Sequence, residues 1–313
     1  MTQLQLSRRE ILGLGARLAA IMGLGTAAIP QVAEALESIA AGAVPVLWLQ
    51  AQTCSGCSVT VLNSDAPGPA VLLTRHIALR FHQTLSAVSG EHAIETINRT
   101  IDEGAYLLVV EGAVPAGMPE ACVIGHEPVA GQIARAAARA RAVIAQGTCA
   151  VFGGIPAAEN NPTGAVSLCS FLKGKGITTP VVSLPGCPPH PDWLVGTLVH
   201  LLRFGIPKLD AEGRPAMFYG RLLHDQCPRF ADYERENFAR KFSDAGCLFK
   251  LGCMGPNTHA DCTLRNWNSG VNCCIKAGAP CIGCASREFA AKACFPMFRN
   301  GRSEGTSIVQ NEQ

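Results

Sequence analysis

Short, nearly continuous apolar runs recur through the first two thirds of the chain: Val44–Gln50, Val71–Thr74, Ala105–Val110, Arg141–Ala145 and Thr179–Leu184. Runs of this length without polar alternation predict strands covered on both faces, as in a parallel sheet. Between them lie segments with helical spacing, notably His92–Glu103 and the Ala-rich Gly131–Arg139, and Trp193–Phe204 predicts a further helix. Strand and helix alternate, so the expected fold class is α/β, a doubly wound sheet spanning residues 43–212. From Gly213 the pattern changes, with frequent Gly, Pro, Asn and Cys and no long periodic segment beyond Tyr233–Phe242. A second, smaller and irregular domain is expected at 213–300, held by something other than an apolar core, with a polar tail at 301–313.

Residues 1–42 stand apart: Ser7-Arg8-Arg9-Glu10 precedes an apolar, Gly/Ala-rich run from Ile11 to Ile29 that Arg17 interrupts. The arginine pair resembles a twin-arginine export signal, with Ile11 where Phe is usual, and processing is expected around Ala35–Ala43. The alternative is a peripheral amphipathic helix on a protein that stays inside the cell. No second apolar span follows Met297, so no direct C-terminal membrane anchor is expected. Of the 313 residues 48% are hydrophobic and only 16% charged. Soluble chains carry about 25% charged residues, so part of this surface is expected to be committed to a protein partner. The net charge of +2 comes without a basic block, which argues against nucleic acid.

The 15 cysteines carry the chemistry. Cys54 and Cys57 follow the first strand run, Glu111 the third, Cys149 the fourth and Cys187 the fifth. In an open α/β sheet such loops meet at the carboxyl edge, where ligands bind. Four thiolates there suit a [4Fe–4S] cube, one per iron. Gly56, Gly147 and Gly186 would let backbone N–H groups approach the sulfurs. A lone CxxC suits zinc or a thiol–disulfide pair equally well. Further on come His224-Asp-Gln-Cys227, Cys247, Cys253, Cys262, Cys273-Cys274 and Cys281-Ile-Gly-Cys284. Eleven cysteines and His224 suffice for three four-ligand sites, leaving Cys122, Cys169, Cys273 and Cys294 over. Structural zinc is the competing reading of these sets. Paired carboxylates, a nucleophile elbow and a dinucleotide fingerprint are all missing, so the chain is expected to carry electrons for a catalytic centre located elsewhere.

Seven motifs in order resemble the small, electron-transferring subunit of a periplasmic [NiFe] hydrogenase. They are Cys54-Ser-Gly-Cys57-Ser58, Val109-Val-Glu-Gly-Ala-Val-Pro115, Gly147–Glu159, Pro185-Gly-Cys-Pro-Pro-His-Pro-Asp-Trp193, His224-Asp-Gln-Cys227, Leu251-Gly-Cys-Met-Gly-Pro256 and Cys281-Ile-Gly-Cys284. The resemblance implies a flavodoxin-like domain followed by a smaller cluster-binding domain, and three iron–sulfur clusters in line. Cys54, Cys57, Cys149 and Cys187 would hold the proximal cluster. His224, Cys227, Cys247 and Cys253 would hold the distal one, near a docking site for a cytochrome c-type or other electron carrier. Cys262, Cys281 and Cys284 match the medial cluster. The implied obligate partner is a large subunit bearing the Ni–Fe centre.

Many members of that family have proline where this chain has Cys274 and carry a [3Fe–4S] medial cluster. Cys274 would complete a [4Fe–4S] medial cluster, and with the motif around Cys54–Asn63 it resembles the nickel–iron–selenium branch. Cys273 stands where tryptophan is usual and is the alternative fourth ligand. The six-cysteine proximal centre of oxygen-tolerant members needs thiols at the positions of Gly56 and Gly154, and is not expected. Glu111 matches an interface glutamate that would join a hydrogen-bonded proton network. The bland reading of Glu111 is a solvated carboxylate at the end of a strand.

Overall fold

The structure is a computed structural model that describes residues 8–40, 45–65, 67–72, 78–158 and 160–290. The chain divides after Gly220 into two compact units.

The first unit opens with two helices, α1 (Arg8–Ile21) and α2 (Ile29–Ala40). A Cβ on Gly15 of α1 would meet Ile29 O and Ala33 Cβ of α2 at 3.0 and 3.1 Å, so a side chain there would press the two helices apart by a few tenths of an ångström. Leu18, Ala19, Met22, Val32 and Ala33 are buried. Neither helix is long and apolar enough to cross a membrane. Ser7 of the export-like motif lies outside the described residues.

Five parallel strands follow: β1 (Pro45–Gln50), β2 (Ala78–Phe81), β3 (Leu107–Glu111), β4 (Ala142–Gln146) and β5 (Val181–Leu184). Their order is β2-β1-β3-β4-β5, the flavodoxin arrangement, with the switch point between β1 and β3. Every residue of β3 and β4 is buried, as strands sandwiched between helical layers require. One strand differs from the sequence expectation. Val71 belongs to a helical turn, Pro69–Val71, residues 73–77 lie outside the described set, and the pairing strand is Ala78–Phe81. It forms the sheet edge, half-exposed along most of its length, so it carries Arg80 in place of a continuous apolar run.

Helix α3 (Gly56–Val61) leaves the β1 loop, α4 (Gly90–Glu103) and α5 (Val129–Arg139) cover the sheet, and α6 (Thr148–Phe152) leaves β4. The short α7 (Leu168–Gly174) and the longer α8 (Pro191–Arg203) complete the helical layers. Val129, Ala130, Ile133, Ala136 and Ala137 form the buried stripe of α5, at the spacing of one helix face. They pack with Leu47, Leu49, Leu108, Val110, Val143 and Ala145 in a core cluster of 23 buried residues. Residues 213–220, assigned by composition to the second domain, belong to this unit. Ser183 donates its N–H to Gly213 O, Tyr219 stacks on Trp193 at 4.9 Å, and the Tyr219 hydroxyl donates to Pro185 O.

The second unit, described as far as Ala290, is irregular. The periodic stretch Tyr233–Phe242 yields only a helical turn at Phe230–Glu234, after which Phe238 bridges to Cys247. Its core has six fully buried members, Leu223, Ala239, Leu248, Cys273, Ile275 and Cys281, so two of the six are cysteines.

Candidate metal centres

The parallel register lines up Gln50, Glu111, Gln146 and Leu184 as one row at the carboxyl edge of β1, β3, β4 and β5. Each candidate ligand of the first unit comes from a loop just past that row. After β1 the chain presents exposed Cys54, turns through Ser55 in the left-handed region, and starts α3 with buried Cys57. After β4, Gly147 turns at φ +89° and Cys149 rides on α6. The Cys187 loop is stitched to it: Thr148 N–H donates to Gly186 O at 2.9 Å, and Gly186 N–H to the Thr148 hydroxyl at 2.8 Å.

Burial pushes the Cys57 thiol well above its usual range, and the charges of Glu111, Cys149, Cys187 and Cys54 push it further. Burial likewise raises Cys149 to about 11, against an opposing hydrogen bond from the Ile155 backbone. Cys54, Cys149 and Cys187 all act on Cys57, so the four thiols form a single electrostatic group. Metal binding takes thiolates, so a bound cation would offset the charge gathered there. Glycines keep the space around the sulfurs open. A Cβ on Gly147 would overlap Cys57 Sγ, and one on Gly154 would come within 2.8 Å of Cys149 Sγ.

Two further groups lie in the second unit. His224, Cys227, Cys247 and Cys253 line one small cavity. His224 is held edge-on against Phe230 and Tyr233, with ring centroids 5.1 and 4.6 Å away. Arg229 N–H donates to Cys227 Sγ at 3.4 Å, and the Arg229 guanidinium donates to Asp244 O and Gly246 O, fixing the approach to Cys247. Cys262, Cys281 and Cys284 form the other group. Desolvation raises Cys262 well above its usual range, followed by the charges of Cys284 and Cys281. Cys281 N–H donates to Cys253 Sγ at 3.4 Å, so the two groups share a wall.

The adjacent cysteines part company. Cys273 is buried in the core with Cys281, against which Cys227, Cys253 and Cys262 also pack. Cys274 is exposed, and Cys253 and Cys273 are the thiols with which it interacts electrostatically. Cys122 packs against the sheet core, Cys169 is exposed on α7, and Cys294 lies outside the described residues.

Among the described residues, no three His, Cys, Asp or Glu side chains stand close enough to hold a single metal ion.

Glu111 corrects its bland reading: it is fully buried. Thr53 donates its hydroxyl to Oε1 at 2.9 Å, while Trp48, Gln50 and Ser58 donate to Oε2. Of these donors only Ser58 falls within a quoted motif; Trp48, Gln50, Thr53 and His82 behind Ser58 carry none. Two polar residues in register at the ends of apolar strands, Gln50 and Glu111, were the available signal.

Residues 54–201 match the family of the NADH ubiquinone oxidoreductase 20 Kd subunit, and residues 219–296 match the C-terminal family of the NiFe/NiFeSe hydrogenase small subunit. The periplasmic [NiFeSe] hydrogenase small subunit of Desulfomicrobium baculatum is 40% identical over 308 residues, covering 91% of this chain and 96% of the relative. The periplasmic [NiFe] hydrogenase small subunit of Solidesulfovibrio fructosivorans is 38% identical, covering 92% of each. The solved [NiFeSe] hydrogenase of Desulfovibrio vulgaris Hildenborough superposes with a TM-score of 0.76 at 45% identity, covering 79% of this chain and 94% of that one. With cysteine-lined groups at a flavodoxin-type sheet edge and in an irregular second unit, the chain belongs to the family of electron-transferring small subunits of [NiFe] and [NiFeSe] hydrogenases.

Proposed function

We propose that this chain holds three iron–sulfur clusters within an exported heterodimeric hydrogenase. Cys54, Cys57, Cys149 and Cys187 hold the proximal cluster, and His224, Cys227, Cys247 and Cys253 the distal one. Cys262, Cys281, Cys284 and Cys274 hold a four-iron medial cluster, with Cys273 the alternative fourth ligand. When bound, the clusters supply single-electron relay between the large subunit's nickel–iron centre and an external carrier of cytochrome c type near His224. The observation that carries this reading is the gathering of His224, Cys227, Cys247 and Cys253 around one cavity from separate parts of an irregular chain.

The chain's own residues prepare the partner surface. Val59 on α3, Leu62 just after it and Ile155 just past α6 are exposed at 56%, 42% and 54%, beside Cys54 and Cys149. Large apolar side chains left in water around exposed Cys54 support an interface with the large subunit on this edge. Glu111 lies behind it as a hydrogen-bonded group of the same edge. Glycine at Gly56 and Gly154 supports a four-cysteine proximal site without the extra thiols of oxygen-tolerant members. Arg8 and Arg9 support export of the folded chain by the twin-arginine route. Replacing both is expected to retain the complex in the cytoplasm, and normal export of that variant would refute the signal.

Iron and acid-labile sulfide in anaerobically purified heterodimer test the cluster count. About twelve irons per chain are expected, four per cubane. Zinc without sulfide would sink the reading. Cys274→Pro is expected to convert the medial cluster to a three-iron form seen by EPR after mild oxidation. A surviving four-iron signal would transfer the role to Cys273.

A further inference from the structure

His82 directly follows β2, is fully buried, and has no place among the candidate ligands. Its hydrogen bonds determine where its proton sits. The Thr84 backbone N–H, always a donor, points at Nδ1 from 3.1 Å, so Nδ1 is the acceptor nitrogen. A neutral imidazole then carries its hydrogen on Nε2, which lies 2.9 Å from Ser58 Oγ. Burial keeps the ring neutral, lowering its pKa to about 4 against the opposing charge of Glu111.

Ser58 completes the accounting. Its oxygen accepts from His82 Nε2 and from Gln50 Nε2, the latter at 2.9 Å. A hydroxyl has two acceptor positions and one hydrogen. With both positions filled, the hydrogen has one direction left, toward Glu111 Oε2, with which Ser58 makes a short hydrogen bond. Had the Thr84 amide not claimed Nδ1, Nε2 could accept instead and draw the Ser58 hydrogen away from the carboxylate.

We propose that His82 is the positioning residue of Glu111: its Nε2–H, directed at Ser58 by the Thr84 amide, commits the Ser58 hydrogen to the Glu111 carboxylate beside the proximal thiols. The proposal rests on the reading of Cys54, Cys57, Cys149 and Cys187 as proximal ligands and of Glu111 as a group of that edge. It adds a residue with no contact to any ligand whose role is to set the direction of a buried hydrogen-bond chain. Ser58 immediately follows Cys57, so the same chain also steadies the start of α3.

The test uses purified heterodimer with measured iron and sulfide. His82→Phe and His82→Leu both remove the donor while filling the site differently, whereas His82→Gln offers an amide oxygen to Thr84 and an N–H to Ser58. Hydrogen oxidation is expected to fall roughly five-fold in the Phe and Leu variants, the size of one lost buried hydrogen bond, with shifted g-values of the reduced proximal cluster. His82→Gln is expected to return both readouts to near wild type. The double variant Ser58→Ala/His82→Phe should be no worse than Ser58→Ala alone, because His82 acts only through Ser58. Full iron with an unmoved EPR signal in the Phe and Leu variants would overturn the proposal and leave the site reading intact. So would a Gln variant as impaired as Phe, or effects that multiply in the double variant. Wild-type protein lacking the proximal share of iron would sink the site reading and the proposal together.

Discussion

The two units bring cysteines together by opposite means. In the first, a core cluster of 23 buried residues without a cysteine among them packs the sheet. Cys54, Cys57, Cys149 and Cys187 are passengers on its carboxyl edge. In the second, a core of six contains two cysteines, Cys227, Cys253 and Cys262 pack against it, and His224 and Cys247 line a cavity beside its Leu223 and Leu248. There the ligands are the interior. A metal group on a prebuilt edge adds chemistry to a fold, whereas one enclosed by an irregular chain supplies much of the fold's stability.

The sharpest way to break this contrast is to strip the iron. Amides of β1, β3, β4 and β5 are expected to stay protected from hydrogen exchange, while residues 221–290 exchange at the rate of unstructured chain. Equal loss in both units would end the distinction. Ile133→Ala inverts the experiment. Ile133 is fully buried in the sheet core, so the variant should lose about 2–5 kcal/mol in denaturant unfolding of the first unit with iron content unchanged.

A smaller and pH-dependent effect belongs to His82. Its folded pKa of about 4 lies below the ordinary 6.5, so between those values the unfolded chain takes up a proton that the fold refuses. Stability of the first unit therefore falls as pH drops from 6.5 toward 4, by on the order of 3 kcal/mol, and is level above 6.5. Urea midpoints across that range measure it, and His82→Gln should flatten the curve. Gly147→Ala is milder for the sheet, costing ~1–3 kcal/mol for a side chain at positive φ. Its Cβ would press on Cys57 Sγ, so the variant is expected to lose proximal iron selectively. Smallest of all, Cys169→Ser on the exposed face of α7 should change stability by less than ~0.5 kcal/mol and leave iron untouched.

The strands covered on both faces were legible because burial on both faces leaves no polar alternation: β1, β3, β4 and β5 all fall within a few residues of their apolar runs. Of the two edge strands, β2 was not. With one side open to water, β2 tolerates Arg80, and the more apolar Val71–Thr74 drew the assignment away from it. The boundary expected at 213 falls within the first unit for a related reason. Gly213, Pro215 and Gly220 look like irregular structure, but Tyr219 among them stacks on Trp193, a contact that composition does not register.

By itself the sequence determined the α/β class, the clustering of cysteines at strand ends and in the tail domain, and the family. All three depend on local spacing, which survives in one dimension. Only the tertiary structure decided that Glu111 is a buried carboxylate with four side-chain donors, and that His82, 29 positions before it in the chain, stands behind one of them. It also separated Cys273 from Cys274, neighbours in sequence but one interior and one exposed. Hydrogen-bond direction and burial depend on what the folded chain brings from elsewhere, and no local pattern carries that.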